Sequence, residues 1–133
     1  MSGKPSLEEV RKMFELDRFA TENGAVIDEI GEDYAKCSIV LEPKHYNAAK
    51  AVMGGVYFML ADFAFAVASN WEKMDMVSLN STISYIGAAK GKKLTARAQC
   101  LKNGKSTAFY RIEVHDDLNN LVAEVNTTGY RKG

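Results

Sequence analysis

Net charge is the first thing this chain lacks. Seventeen basic and seventeen acidic side chains cancel over 133 residues, so there is no basic field to hold a nucleic acid or an anionic membrane. Cysteine is scarce as well: Cys37 and Cys100 are the only two. They lie far apart, without CxxC spacing, inside strand-like patterns, which reads as two buried thiols in a reducing compartment and not as a disulfide framework or a metal site. The two histidines and the acidic residues form no cluster with ligand spacing, so no metal is expected. A G-x-S-x-G elbow is missing, and the chain is too short for the sheet that carries one. The N-terminus, MSGKPSLEEVRKMFELDRF, interleaves charges with apolar residues and lacks the unbroken apolar core of a signal peptide, so the protein reads as cytoplasmic. At 47% apolar and 26% charged it is expected to fold as one domain over residues 1–133.

What is present is one long apolar run. Residues 51–70 read AVMGGVYFMLADFAFAVASN, in which Asp62 is the only charged residue. The run is nearly long enough to cross a bilayer, but the Gly54-Gly55 pair, Asp62, several alanines and the strand patterns on both sides argue for a buried helix over about residues 54–70. A lone carboxylate inside such a helix is costly to bury unless it is paired or used. The glycine pair opens the helix behind a polar loop carrying His45 and Asn47, and the free N–H groups of a helix start favour developing negative charge.

The flanking patterns supply the rest of the fold. Ser6 is a candidate N-cap for an amphipathic helix over about residues 6–20, with Leu7, Val10, Phe14 and Phe19 at helical spacing and Asn23-Gly24 as its stop. Between residues 25 and 41 the period changes to two, with Ala35, Cys37, Ile39 and Leu41 on one face. After Asn70 come four more alternating segments and no helix, and Asn103-Gly104 predicts a two-residue hairpin turn. Helix, two strands, long helix, four strands, joined by hairpins, predict an α+β hot dog arrangement in which a curved antiparallel sheet wraps a central helix. One such sheet covers only one side of the helix and leaves an edge strand unpaired, which a second copy of the chain would answer.

With these residues in view, HYNAAKAVMGGVYFMLADFAFAVASN, SLNSTISYIGAAKGKKLTARA and the hairpin KNGKSTAFYRIEV resemble the hot dog thioesterases of the phenylacetate-pathway PaaI type, over about residues 25–130. The family motif is H-x-N, a Gly three residues on, then His-Gly-Gly, then Asp eight residues after the first of those glycines. His45, Asn47, Gly54, Gly55 and Asp62 match; Met53 stands in place of the His and Lys50 in place of the Gly. The resemblance implies acyl-coenzyme A hydrolysis with Asp62 as general base or nucleophile, the Gly54 N–H polarising the carbonyl, Asn47 holding substrate or water, and Ser78 orienting the water. It implies His45, Met53 and Gly55 on the substrate, and Lys92, Lys93 and Lys105 near the nucleotide end of coenzyme A. No cofactor is implied, coenzyme A being part of the substrate, and the partner implied is a second copy in a homodimer, with a dimer of dimers beyond it.

Plainer readings stand beside these. Asp62 could be a structural carboxylate bonded to a neighbouring strand, and Asn47 could shape an Asx turn. His45 could serve only the loop, the glycines only close packing, Ser78 only the strand surface, and the lysines only solvated turns. Two other functions compete: a non-catalytic acyl-thioester or small-ligand binding protein that lost its chemistry through Met53, and a hydratase or dehydratase, which would want a histidine on the helix.

Overall fold

The computed structural model describes residues 3–133. Met1 and Ser2, which open the stretch read against a signal peptide, lie outside the described residues. Helix α1 spans Leu7–Phe14 and begins with a capping box: the Glu9 N–H donates to the Ser6 hydroxyl at 3.2 Å while the Ser6 N–H donates to the Glu9 carboxylate at 2.8 Å. Val10 and Phe14 bury its apolar side. The helix expected over residues 6–20 is in fact two, because continuing the stripe of residues 7, 10 and 14 would turn Asp17 and Arg18 inward. The chain instead bends at Glu15–Asp17 and starts a short helix α2, Arg18–Glu22, which leaves Phe19 exposed. Gly24, at φ 104, ends it in the left-handed conformation that glycine adopts without penalty.

Six strands follow: β1 (Val26–Gly31), β2 (Tyr34–Val40), β3 (Met76–Tyr85), β4 (Lys93–Asn103), β5 (Thr107–His115) and β6 (Leu121–Arg131). They form one antiparallel sheet in the order β1-β2-β4-β5-β6-β3. Helix α3, Gly54–Asn70, connects β2 to β3 and lies in the concave face. The inward positions of the sheet include Ala35, Ala96, Ala98, Ala108 and Ala123, all fully buried, and the helix contributes Ala61, Ala64 and Ala68. Small side chains on both surfaces let helix and sheet approach closely, and Leu60, Phe63, Phe65 and Val67 fill what remains. The far end of α3 is fixed by Asn70, whose amide accepts from the Met76 N–H at 2.8 Å and donates to the Met76 carbonyl at 3.0 Å. Both cysteines are free thiols, Cys37 buried and Cys100 half-buried. Among the described residues no helix is long and apolar enough to cross a membrane.

The Asn103-Gly104 turn differs from the two-residue form. The strands are joined by Gly104, Lys105 and Ser106, with the Gly104 N–H donating to the Thr107 carbonyl at 2.9 Å. Gly104 has no positive φ; a Cβ there would meet the Thr107 carbonyl oxygen at 2.8 Å, so the residue is glycine for space and not for handedness.

Candidate active site

The loop before α3 is built by its own side chains. The Asn47 carboxamide oxygen accepts from the Ala49 N–H at 2.9 Å and the Ala51 N–H at 3.1 Å, and its backbone exchanges a further bond with Ala51. This is the Asx geometry of the plainer reading; the amide NH2 group has no partner among the described residues. Lys50, where the resemblance has Gly, sits at φ 65, a left-handed conformation that costs a side-chain-bearing residue about 1–2 kcal/mol. Lys50→Gly should therefore raise stability by roughly 1 kcal/mol, read as a higher midpoint in urea unfolding. An unchanged or lower midpoint would mean that the lysine side chain stabilises the loop in some other way.

His45 sits in the loop before α3, with both ring nitrogens on backbone groups. It is buried, its Nδ1 accepts from the Glu42 N–H at 2.8 Å, and its Nε2 lies 2.9 Å from the Asn23 carbonyl. A backbone N–H can only donate, so Nδ1 is the acceptor and the neutral ring carries its proton on Nε2. The histidine ties the turn Pro43–His45 to the end of α2 and has no nitrogen left for a ligand.

Met53 is the N-cap of α3 and, among the described residues, makes no side-chain cap bond; the residue stands half exposed at the helix start. The Val56 N–H donates to the Met53 carbonyl at 2.9 Å, which orients the Met53–Gly54 peptide and with it the Gly54 N–H. One stripe of α3 is left uncovered by the sheet: Gly55, Phe58, Met59, Asp62 and Ala66. It faces Phe19 of α2 across an open cavity of 590 Å³. Asp62 is half-buried in this apolar surround, and among the described residues nothing hydrogen-bonds or ion-pairs with its carboxylate. No strand group reaches it, as the structural reading would need. Burial pushes the Asp62 carboxyl above the usual carboxylate range, and the charge of Asp17, which borders the same cavity, pushes it the same way.

Ser78 is exposed on β3, paired with Gly129, and makes no side-chain bond among the described residues. Lys92 and Lys93 lie at the Gly54 end of the molecule, where the Ala89 N–H donates to the Tyr57 hydroxyl at 3.3 Å and the carboxylate of Asp117 accepts from the Lys92 N–H at 3.0 Å. Lys105 lies in the turn beyond the other end of β4, a strand that spans about 33 Å at the usual rise per residue. The three lysines thus cannot hold one phosphate group within a single chain. Two groups near the helix start were not legible beforehand: Asp17, hidden in what reads as a continuous amphipathic helix, and Tyr85, which reads only as one more residue in an alternating strand.

The sheet, the wrapped helix and its uncovered carboxylate define a hot dog hydrolase scaffold, and the family model of the thioesterase superfamily matches residues 49–123. The chain belongs to that superfamily, among the PaaI-like hot dog thioesterases, and is a thioester hydrolase by class. It is 32% identical over 122 residues to the acyl-coenzyme A thioesterase PaaI of Escherichia coli, covering 91% of this chain and 87% of that one. A protein of Archaeoglobus fulgidus, provisionally named an esterase, is 39% identical over 120 residues, covering 90% and 78% respectively. The solved structure of the Escherichia coli PaaI protein superposes with a TM-score of 0.85 at 29% identity, over 96% of this chain and 97% of that one.

Proposed function

We propose that this protein hydrolyses acyl-coenzyme A thioesters to a carboxylic acid and free coenzyme A. The observation that carries the proposal is Asp62: a carboxylate without a partner, raised in pKa, in an apolar groove on the one helix stripe the sheet leaves open. Thiolate is a good leaving group, so the reaction needs an oriented nucleophile and a donor for the carbonyl oxygen but no strong acid. Asp62 takes the proton of an attacking water, or attacks the carbonyl carbon itself, while the Gly54 N–H receives the developing oxyanion; the carbon–sulfur bond then breaks and the thiolate departs, and in the second case water hydrolyses the resulting acyl–Asp62 anhydride to free the acid and restore the carboxylate. Asn47 holds the loop that delivers Gly54, Ser78 orients water, and Met53 and Gly55 border the acyl group. Lys92 and Lys93 attract the phosphates of coenzyme A as point charges. Lys105, at the far end, serves that role only in a site completed by another chain.

Helix geometry argues that one chain does not make a site. Gly54 and Asp62 are eight residues apart on α3, about 12 Å along the axis, whereas donor and base must both come within about 3 Å of one reacting group or its water. Two α3 helices packed about a two-fold axis would set each Asp62 against the partner's helix start. The edge strand β3 is suited to such a contact, with Val77, Leu79 and Tyr85 exposed along it and, among the described residues, no strand on its open side. The functional unit is therefore a homodimer joined along β3, with a dimer of dimers as the larger assembly. No metal or cofactor enters.

The test is thiol release from a panel of aromatic, short-chain and medium-chain acyl-coenzyme A esters by the purified protein. Turnover well above the uncatalysed rate on at least one is expected. Tight binding of acyl-coenzyme A with no release from any member would sink the hydrolase reading and favour a binding protein.

A further inference from the structure

The end of β3 reaches back to the start of α3. A Cβ placed on Gly54 would lie 3.1 Å from Cε1, Cζ and the hydroxyl oxygen of Tyr85, so the tip of this ring occupies the space a side chain at 54 would need. The Tyr85 hydroxyl is 3.3 Å from the Gly54 carbonyl oxygen and donates to it, a long bond. Tyr85 is held in turn by Tyr57, with ring centroids 6.1 Å apart, and Tyr57 by the Ala89 N–H. A peptide unit is planar, so the tyrosine bond, added to the place of the Gly54 carbonyl in the α3 ladder, reinforces the direction of the Gly55 N–H on the other side of the same bond. The preceding peptide is fixed separately, through the Met53 carbonyl and the Val56 N–H.

We propose that Tyr85 is a positioning residue: its ring tip and hydroxyl hold the Gly54–Gly55 peptide so that the Gly55 N–H stands beside the Gly54 N–H as a second donor to the thioester oxygen. This rests on the reading that the start of α3 binds that oxygen. It also gives Gly54 a reason beyond backbone freedom, because a Cβ there pushes the ring tip aside by a few tenths of an ångström, enough to disturb a bond already 3.3 Å long.

The experiment is a double-mutant cycle on Gly54→Ala and Tyr85→Ala, with Tyr85→Phe as the conservative variant, read in steady-state thiol release on an acyl-coenzyme A the wild type hydrolyses. Removing a whole oxyanion donor costs about 10²–10³ in kcat, so misaiming one is expected to cost about 10-fold. Each alanine variant should lose about that in kcat with KM within about 2-fold, and the double variant should be no worse than either, because both changes break the same contact. Tyr85→Phe keeps the ring and should lose only a few-fold, with an unchanged melting temperature. Effects that multiply in the double variant, or a Tyr85→Ala protein with wild-type kcat, overturn the inference while leaving acyl-coenzyme A hydrolysis standing. If the wild type hydrolyses no acyl-coenzyme A, the underlying reading has failed and this one with it.

Discussion

Asp62→Asn is expected to remove most turnover and to make the protein more stable at neutral pH. A positioned general base contributes about 10²- to 10⁴-fold, and asparagine keeps the shape of the side chain while losing its proton affinity. Thiol release on the best substrate of the panel should fall by about that factor. The stability change follows from the direction of the shift. Burial and Asp17 raise the carboxyl in the folded protein above its unfolded value, so the folded state disfavours the ionised form, and this cost is present in full above the folded pKa. It fades as pH falls through the folded value towards the unfolded one. The melting temperature of Asp62→Asn should therefore exceed that of wild type at pH 7.5, with the gap closing through the acidic range. The wild-type rate should fall on the acid side at a pH above that of an ordinary carboxylate, and Asp17→Asn should move this limb lower. A variant at position 62 with full activity would end the assignment.

Mixing two dead proteins should produce a live one. If Asp62 of one chain works with the helix start of another, Asn47→Ala and Asp62→Asn each destroy both sites of their own dimer. Refolded together, half of the dimers are mixed, and in each of these one site draws its loop and its carboxylate from intact donors while the other carries both lesions. Activity should recover to roughly a quarter of wild type by this symmetry count. The hydrogen bonds of Asn47 do not alter the design, since its Asx turn belongs to the helix-start half of the site however the side chain acts. Mixtures that stay inactive, with mixed dimers demonstrated by mass spectrometry, would place both residues in one site of one chain, and the 12 Å separation would then need another explanation.

Much of the fold was legible because its signals are periodic. The two-residue alternation through Ala35, Cys37 and Ile39 marks a face that is indeed buried, and the charge-poor run after Gly54 could only be a wrapped helix. Where reading failed, the cause was a local choice that periodicity does not encode. Phe19 lies five residues after Phe14, off the stripe of residues 7, 10 and 14, and the residues that a continued helix would bury are Asp17 and Arg18, where the chain turns. Asn103-Gly104 looks like the tip of a tight turn, but the register past the bulge between Cys100 and Lys102 sets Asn103 opposite Ala108 and bonds Gly104 to Thr107, so the tip falls at Lys105 and Ser106. In the site, the motif singled out Asp62 and the glycines but could not separate His45 the ligand from His45 the loop anchor; that depended on two backbone groups, Glu42 N–H and Asn23 C=O, which no pattern places. Tyr85 was invisible for a similar reason, its partner being a backbone carbonyl 31 residues earlier.

The alanine seat under α3 has a consequence for how such a protein can change. Because the helix rests on residues with almost no side chain, its buried side tolerates little variation: a larger residue at Ala61 or Ala96 would lift the helix off the sheet. Phe58, Met59 and Ala66, on the opposite side, touch the groove and can be exchanged with far less cost to the core. Selection for a new acyl group would thus act on a handful of positions spaced by helical turns, leaving the carboxylate and its supporting architecture in place.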